Sequence, residues 1–310
     1  MPALDTATEL WHQVVLMTIL VHSATRVLCQ GLTGRTATFH CARMQSYGTQ
    51  LVAGVVPGKG GRAHLDVPVF DKVRDAVSAT AADASIVFVP PVGAAAALIE
   101  AIEAELPLVV CVTERVPVLD MVRVRQALNG SRTVLVGPNS QGILAPGIIQ
   151  LGVMSTIDAR PGRVGIVSRS ASLTSEVVMQ TTRAGLGQST TVGIGGDPVH
   201  GLRLTRCVEM FLADPDTDGI VVIGEIGGTE EEETAELIQQ SKPTKPIVAM
   251  VAGRHAPPER RMGHAGALVT AAAGTAAAKI EALQAAGVRI APDASQVGET
   301  MRAALAGNSA

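Results

Sequence analysis

The sequence predicts an α/β protein with two parallel sheets, and three observations support this fold class. Short runs of β-branched residues recur along the chain, separated by stretches compatible with helices. Most of these runs are predominantly apolar rather than alternating, which is typical of parallel strands buried on both faces. The chain's 310 residues and 47% hydrophobic content are enough for roughly two such units, each with its own core.

The predicted strands fall into two series. The first lies at 26–29, 51–56, 85–89, 108–112 and 133–136, and the second at 164–167, 188–192, 220–223, 247–251 and 288–290. Strands that alternate with helical segments in this way predict a parallel sheet in each half of the chain.

The spacing of the two series also predicts the domain organisation. We expect one domain over 17–142 and a second over 163–310, joined by a linker over 143–162 that is rich in glycine and proline and has little helical periodicity. Residues 1–16 are interpreted as an extension or a mis-assigned start, because Met17 begins the segment that leads into the first strand.

Composition excludes several classes of function. A net charge of -3 and an aromatic content of 2% provide neither the basic surface nor the rings that bind nucleic acid. The four cysteines have no CxxC spacing, which argues against a zinc cluster or a secreted disulfide scaffold, and no uncharged apolar run is long enough to span a membrane. We expect no metal site in this chain and a reducing location, either a bacterial-type cytoplasm or a mitochondrial matrix.

In the first half, polar residues follow four of the predicted strands. The turn after the first strand carries two glycines and opens a helix, whose backbone N–H groups suit an anion. Its spacing is not GxGxxG, and no acidic residue closes the second strand, so a phosphate-rich ligand other than NAD is favoured. Lys59, after the second strand, adds a positive charge or is an ordinary solvated turn residue. The candidate residues are Thr33, Gly34, Arg35, Thr36, Lys59, Val112, Thr113, Glu114, Asn139 and Ser140.

In the second half, the most informative residue is His264. It lies between Gly263 and Gly266 in a loop of small residues, where an imidazole has the free nitrogen and the access that a phosphoryl acceptor needs. Taken alone, it would be read as a surface loop histidine. Glu225 follows an apolar strand and could fix the tautomer of the ring or be a solvated loop acid.

Two helix starts complete the set of second-half candidates. Hydroxyls and amides at the start of the helix after Val167 could cap that helix or hold an anion; the residues are Ser170, Ala171, Ser172 and Ser175. Thr229 and Glu232 form a predicted capping box, so the acidic run at 230–233 is interpreted as structural.

Together these motifs resemble the α subunit of succinate-CoA ligase (succinyl-CoA synthetase) over 17–305. The diagnostic motifs are Pro57-Gly-Lys-Gly-Gly61, Gly137-Pro-Asn139, Ser168-Arg-Ser170, Gly193 to Pro198, Gly224 to Gly228 and Met262-Gly-His-Ala-Gly-Ala267. The resemblance implies a Rossmann-like CoA-binding domain followed by a flavodoxin-like doubly wound domain. It also implies a partner β subunit with an ATP-grasp fold that binds ATP or GTP with Mg2+.

The resemblance also implies roles for particular residues. CoA would contact 33–36, Lys59, 112–114, Asn139 and Ser140. His264 would carry the phosphoryl group and Glu225 would steady the ring, while the helix that opens at 170–172 would receive the phosphate or the substrate carboxylate.

Three positions depart from the family pattern. Ser140 stands where the family usually has cysteine, Ala171 replaces glycine, and Ser175 replaces tyrosine. Loss of the tyrosine predicts a larger pocket and one hydrogen-bonding group fewer. Malate or citrate is therefore kept as an alternative acid, with succinate as the default.

Two further hypotheses belong to other classes of function. One is a CoA-binding regulatory homologue without turnover, which the retention of His264 and Glu225 argues against. The other is an NAD-dependent oxidoreductase, which the missing GxGxxG spacing argues against.

Overall fold

The computed structural model describes residues 18–257, 262–269 and 274–307, and the proposed extension at 1–16 lies outside them. The first sheet is followed here in chain order. Its strands are β1 (Arg26–Gln30), β2 (Gln50–Val55), β3 (Ala63–His64), β4 (Val67–Phe70), β5 (Ala84–Val87), β6 (Leu108–Cys111) and β7 (Val134–Val136). Its helices are α1 (Arg35–Tyr47), α2 (Val73–Thr80), α3 (Pro91–Glu103) and α4 (Val118–Leu128).

The strand order of this sheet is β3-β4-β2-β1-β5-β6-β7. Every pair is parallel except β3 with β4. Without β3, the parallel strands have the Rossmann order 3-2-1-4-5-6, and the order reverses between β1 and β5. The prediction of a Rossmann-like first half is confirmed.

The second sheet follows directly. Its strands are β8 (Gly142–Ala145), β9 (Ile149–Gly152), β10 (Pro161–Ser168), β11 (Gln188–Gly193), β12 (Gly219–Glu225), β13 (Ile247–Ala252) and β14 (Arg289–Ile290). Its helices are α5 (Ala171–Arg183), α6 (Leu204–Ala213), α7 (Glu230–Ser241), α8 (Ala276–Ala285) and α9 (Val297–Gly307), with a 3-10 turn at Ala294–Gln296.

The order in this sheet is β14-β13-β12-β10-β11-β8-β9. Its five parallel strands therefore have the flavodoxin-like order 2-1-3-4-5. The predicted doubly wound second half is confirmed as well.

The segment 143–162, expected to be a linker, contains regular structure. β8 and β9 form an antiparallel hairpin, and β8 pairs antiparallel with β11 at the edge of the second sheet. The hairpin also contacts the first half, since Thr49 Oγ1 donates to the Gln150 carbonyl at 2.6 Å. Pro146 and Gly147 lie in the turn of this hairpin, whereas Gly152 ends β9 and Pro161 and Gly162 begin β10. The domain boundaries at 142 and 163 remain predictions.

The carboxyl ends of the two sheets meet near β7 and β11. Gly201 N–H donates to the Gly137 carbonyl at 2.9 Å, and one apolar core extends across both halves, from Val27 and Ile86 to Val167 and Val222. Among the described helices, none is long and apolar enough to cross a membrane. The fold therefore brings the strand tips that carry the predicted motifs to one region.

Candidate active site

The turn after β1 leaves a helix N-terminus open. Gly34 N–H donates to the Gly31 carbonyl at 2.9 Å, and α1 begins at the next residue. No side chain caps α1, and its first turn contains no acidic residue. Gly34, Arg35 and Thr36 are exposed. The helix dipole and free N–H groups therefore face solvent, which is the arrangement that binds phosphate.

Lys59 is fixed beside this turn. Its Nζ donates to Thr33 Oγ1 at 2.8 Å, so the lysine from the loop after β2 joins the helix N-terminus predicted from sequence. A cation and a helix N-terminus side by side suit a phosphate group.

The tips of β6 and β7 form the rest of this edge. Thr113 Oγ1 donates to the Val89 carbonyl at 2.6 Å, and Asn139 N–H donates to the Thr113 carbonyl at 2.8 Å. Val112 is half-buried, whereas Glu114 is exposed. The predicted residues of the two tips are thus held together by their own hydrogen bonds.

Ser140 has a use that the sequence did not reveal. The residue is buried, its hydroxyl donates to the Gly193 carbonyl at 2.5 Å, and it accepts from Gly142 N–H at 2.8 Å. The hydroxyl joins the β7 tip to the end of β11. Its expected contact with CoA remains a prediction, but this bonding explains why serine can replace cysteine there.

His264 and Glu225 form the central pair. The ring lies in the loop between β13 and α8, and Nδ1 is 2.6 Å from Glu225 Oε2. Since a carboxylate only accepts, Nδ1 carries the proton, and in the neutral ring Nε2 holds the lone pair. The histidine side chain is 29% exposed, against 7% for the glutamate. A buried carboxylate therefore orients a partly exposed imidazole.

The surroundings raise the pKa of His264. The hydrogen bond to Glu225 is the largest cause, burial opposes it, and the nearby charges of Arg169 and Asp197 lower and raise the pKa respectively. More of the ring is therefore protonated near neutrality than for a free histidine, and the carboxylate is placed to stabilise positive charge on the ring.

Asp197 connects the two parts of the site. Its Oδ1 accepts from Asn139 Nδ2 at 3.1 Å, and it lies close enough to His264 for their charges to interact. Burial raises the pKa of the Asp197 carboxyl, while Asn139 lowers it. This residue was not among the predicted candidates, although it lies in the quoted Gly193 to Pro198 motif.

Gly196 makes room for the histidine ring. A Cβ at this position would lie 2.4 Å from His264 Nδ1, which is too close for any side chain. The glycine of the loop after β11 is therefore required by the close approach of the ring.

The helix N-terminus after β10 is the second predicted anion position. Ser170 Oγ accepts from Leu173 N–H at 3.4 Å, and the first turn of α5 has no acidic residue. Ala171 is the first helical residue, a conformation that alanine adopts without strain, so its replacement of glycine carries no backbone penalty. Ser172 and Ser175 are exposed.

The capping box predicted at Thr229 is wrong in its bonding. Thr229 is the N-cap of α7, but its side chain makes no cap bond and its hydroxyl donates instead to Glu233 Oε1 at 2.9 Å. Glu232 pairs with Lys279 at 3.2 Å. A buried lysine on α8 competes for this carboxylate, and sequence spacing within α7 could not reveal it.

Comparison with known families agrees with this geometry. Residues 22–115 match the model described as CoA binding domain, and residues 167–289 match the CoA-ligase model. The first match includes Lys59 and the turn after β1, and the second includes the His264 loop and α5. The chain therefore has a CoA-binding domain.

Named relatives cover nearly the whole chain. The succinate–CoA ligase [ADP-forming] subunit alpha of Aquifex aeolicus is 50% identical over 92% of this chain and 94% of its own. The corresponding subunit of Staphylococcus aureus is 47% identical over the same shares. An ATP citrate lyase from Methanothrix soehngenii, solved with citrate and coenzyme A, superposes with a TM-score of 0.83 at 25% identity. That match covers 93% of this chain but only 50% of the lyase.

Proposed function

This chain belongs to the family of succinate–CoA ligase α subunits, and from that premise we propose that it forms acyl-CoA through a phosphohistidine at His264. The observation that carries the proposal is the His264–Glu225 pair, with Nδ1 on the carboxylate and Nε2 free to attack. Membership of this family favours a ligase over a dehydrogenase or a regulatory homologue.

The chemistry follows from the difficulty of activating a carboxylate. Nε2 of His264 attacks the terminal phosphorus of the nucleotide, the P–N bond forms and the P–O bond to the nucleoside diphosphate breaks. The ring is then cationic, and Glu225 stabilises the proton on Nδ1. An acid oxygen takes the phosphoryl group from Nε2, and the CoA thiol, having lost its proton, attacks the acyl carbon and releases phosphate.

The residues of this chain divide the remaining work. The open N-terminus of α1 and Lys59 bind the CoA phosphates, and the tips of β6 and β7 line the path of the pantetheine. The first turn of α5 receives the phosphoryl group or the substrate carboxylate. The nucleotide and Mg2+ are bound mainly by an ATP-grasp β subunit in a cytoplasmic heteromer.

Succinate is the proposed acid. The identity of about half of all residues with succinate–CoA ligase subunits supports it. Ser175 is exposed on α5. The effect on acid selection of having serine there instead of tyrosine is therefore measured in the complex with the β subunit.

The test uses the chain co-expressed with its β subunit. CoA-dependent release of ADP or GDP is measured with succinate, malate and citrate at equal concentrations. We expect turnover with succinate to exceed that with the other acids. A preference for malate or citrate would contradict the proposed acid, and CoA binding without turnover for any acid would support the regulatory homologue.

A second variant separates acid choice from catalysis. Ser175→Tyr restores the residue usual in the family, and the same panel is repeated with it. If the pocket set by this position selects the acid, the ratio of succinate to malate turnover changes; an unchanged ratio would show that Ser175 does not contribute to selection.

A further inference from the structure

Behind the catalytic pair lies a row of buried charges that the proposed chemistry does not yet use. Glu225 Oε1 is 3.5 Å from Arg169 Nη2, and Arg169 Nη1 is 3.5 Å from Glu231 Oε1. Glu231 Oε2 accepts from Lys279 Nζ, which also lies 3.2 Å from Glu232. These five residues are called the buried charge chain below.

Four of the five residues of the buried charge chain are almost fully removed from water. Arg169 and Glu225 are each 5% exposed, and Glu231 and Lys279 are 0% exposed. An isolated charge at such depth is expensive, so each member depends on the opposite charges beside it. Removing one member changes the surroundings of the next, up to Glu225.

The buried charge chain also has an imbalance that His264 corrects. It contains two cations and three carboxylates, so one negative charge remains uncompensated inside it. Nδ1 keeps its proton when Nε2 is protonated or phosphorylated, and the imidazole ring then carries a positive charge beside Glu225. The excess charge is therefore placed where phosphorylation creates a cation.

Glu231 also forms a hydrogen bond with the backbone of Glu225. Its Oε1 accepts from Glu225 N–H at 3.0 Å. Room for this contact exists because residue 224 is glycine, whose added Cβ would lie 2.7 Å from Glu231 Oε1. Glu231 thus fixes both the main chain of Glu225 and, through Arg169, the second oxygen of its carboxylate.

The elements involved surround the histidine loop. Arg169 follows β10, Glu225 ends β12, Glu231 lies on α7 and Lys279 lies on α8. Arg169 Nη2 would also be 3.1 Å from a Cβ at Gly266, so the guanidinium packs against the loop that carries His264. The guanidinium also donates from Nη1 to the Gly227 carbonyl at 3.4 Å. Glu225 Oε1 and Arg169 Nε have no hydrogen-bond partner in the described part of the chain, so Glu225 Oε1 is held toward Arg169 by the attraction of opposite charges.

We infer that Arg169 and Glu231 are positioning residues that hold the Glu225 carboxylate against His264. Lys279 balances the charge of Glu231 and anchors α8, the helix that follows the histidine loop. The inference rests on the proposed function, in which Glu225 orients the ring and stabilises the phosphorylated imidazole. It assigns these buried groups to the phosphoryl transfer rather than to stability alone.

The test compares two variants in the complex with the β subunit. Glu231→Gln removes one charge, and because the fully buried Lys279 then keeps only Glu232 as a partner, the variant can fail to fold. Glu231→Gln combined with Lys279→Met removes the buried ion pair as a whole, and such neutral replacements are usually tolerated. Arg163→Gln is the control, because Arg163 forms exposed ion pairs with Asp218 and Asp216 at the other end of β10.

Two readouts separate positioning from stability. The first is the 15N spectrum of histidine-labelled protein, in which His264 is assigned among the seven histidines by its loss in His264→Asn. The second is the single-turnover rate of phosphohistidine formation, with KM for CoA measured alongside. In the double variant we expect a changed His264 tautomer ratio, phosphorylation slowed about 10- to 100-fold and an unchanged KM for CoA. Arg163→Gln should match wild type in the tautomer ratio, the phosphorylation rate and the KM for CoA.

Arg169→Lys gives a rescue comparison with Arg169→Met. The lysine keeps the positive charge and should recover part of the phosphorylation rate, whereas the methionine should not. A folded double variant with the wild-type tautomer ratio and the wild-type phosphorylation rate would overturn the inference. The buried charge chain would then have a purely structural role. If wild-type protein took no phosphoryl group at all, the proposed function would fail, while the tautomer spectra would still test the positioning.

Discussion

At the scale of single residues, the site depends on one short contact between a carboxylate and an imidazole. Glu225 fixes which nitrogen of His264 carries the proton, and Gly196 leaves the ring room to reach it. The sequence allowed His264 and Glu225 to be paired, because Glu225 follows an apolar strand at a sheet edge and the family resemblance implies that it steadies the ring. It could not identify Asp197 or Arg169, since their importance arises from burial and from partners distant in the chain.

Replacing Glu225 should change both the pKa and the reactivity of His264. In Glu225→Gln the charge that raises the pKa is gone while burial still lowers it, so the pKa should fall, as followed by NMR titration. The low-pH limb of phosphorylation should move to lower pH, because the neutral ring is the nucleophile. The maximal rate should nevertheless fall about 10- to 100-fold, as for other groups that orient a histidine.

The same pKa has a consequence for stability. The folded-state pKa of His264 lies above its ordinary value of 6.5, so the protonated ring stabilises the fold below that pH. This contribution is lost as the pH rises through the folded-state pKa. Urea unfolding of wild type and Glu225→Gln across this range should show the difference shrinking as the pH rises; a difference that grows with pH would contradict the assignment.

Gly196→Ala should displace the ring. The new methyl would lie 2.4 Å from Nδ1, so the loop must shift at a cost of about 1–3 kcal/mol, and phosphorylation of His264 should fall at least about tenfold. Gly307→Ala is the control, since its methyl meets only the flexible end of Arg289 at 3.1 Å. Equal phosphorylation by both variants would show that the close approach does not matter.

At the scale of elements, the N-termini of two helices in the second half have opposite character. α7 begins with four glutamates of its own, whereas the first turn of α5 has no acid and its N-cap serine reaches a single N–H at 3.4 Å. The dipole of α7 is thus already neutralised within the chain. That of α5 remains available to an anion that arrives from outside.

Because the N-terminus of α5 has no acidic residue, adding one there should increase stability and decrease activity. Ser172→Asp places a carboxylate in the first turn of α5 and should raise the free energy of unfolding by about 0.3–1 kcal/mol. The same charge should repel the phosphoryl group and slow its transfer from His264 to the acid. In Ser172→Asn the new side chain is nearly the same size as aspartate but carries no charge, so this variant separates the effect of charge from that of size. If both variants slowed phosphoryl transfer equally, the cause would be the shape of the side chain rather than its charge.

Sequence patterns were most informative for strands that are buried on both faces. β1, β2, β5 to β7 and β10 to β14 were all anticipated, because most of them are predominantly apolar runs, which identify parallel strands. β11 is an exception, since its β-branched Thr190, Thr191 and Val192 rather than an apolar run indicated it. The short strand β4 contains Pro68, and β8 and β9 lie among glycines and prolines, so their composition resembles that of loops. Their pairing with neighbouring strands, which only the fold supplies, makes them strands.

At the scale of the whole molecule, two sheets share a core and meet at their strand tips. The β8–β9 hairpin connects the second sheet to α1, because Gly152 N–H donates to Met44 Sδ at 3.2 Å, and Asn139 Nδ2 donates to Asp197 across the junction. The strand tips at which CoA is proposed to bind are therefore linked through Asp197 to the neighbourhood of His264. The likeness to named ligase subunits extends over both halves, in agreement with one catalytic unit.

Ligand-induced stabilisation should distinguish a ligase from a dehydrogenase. CoA at about 100 times its Kd should stabilise the protein by about 2.7 kcal/mol, measured as a rise in Tm, whereas NAD should give no rise. Lys59→Met should reduce the shift with CoA, because it removes the cation beside the open helix. A rise with NAD that Lys59→Met leaves intact would favour an oxidoreductase.

The central claim is that His264 carries the phosphoryl group between nucleotide and acid. The most direct measurement is to incubate the complex with the β subunit, Mg2+ and ATP or GTP labelled in the terminal phosphate, and to locate the label. We expect an acid-labile, base-stable label on His264 that is absent in His264→Asn and disappears when succinate and CoA are added together. A complex that binds nucleotide yet leaves His264 unlabelled would contradict the account.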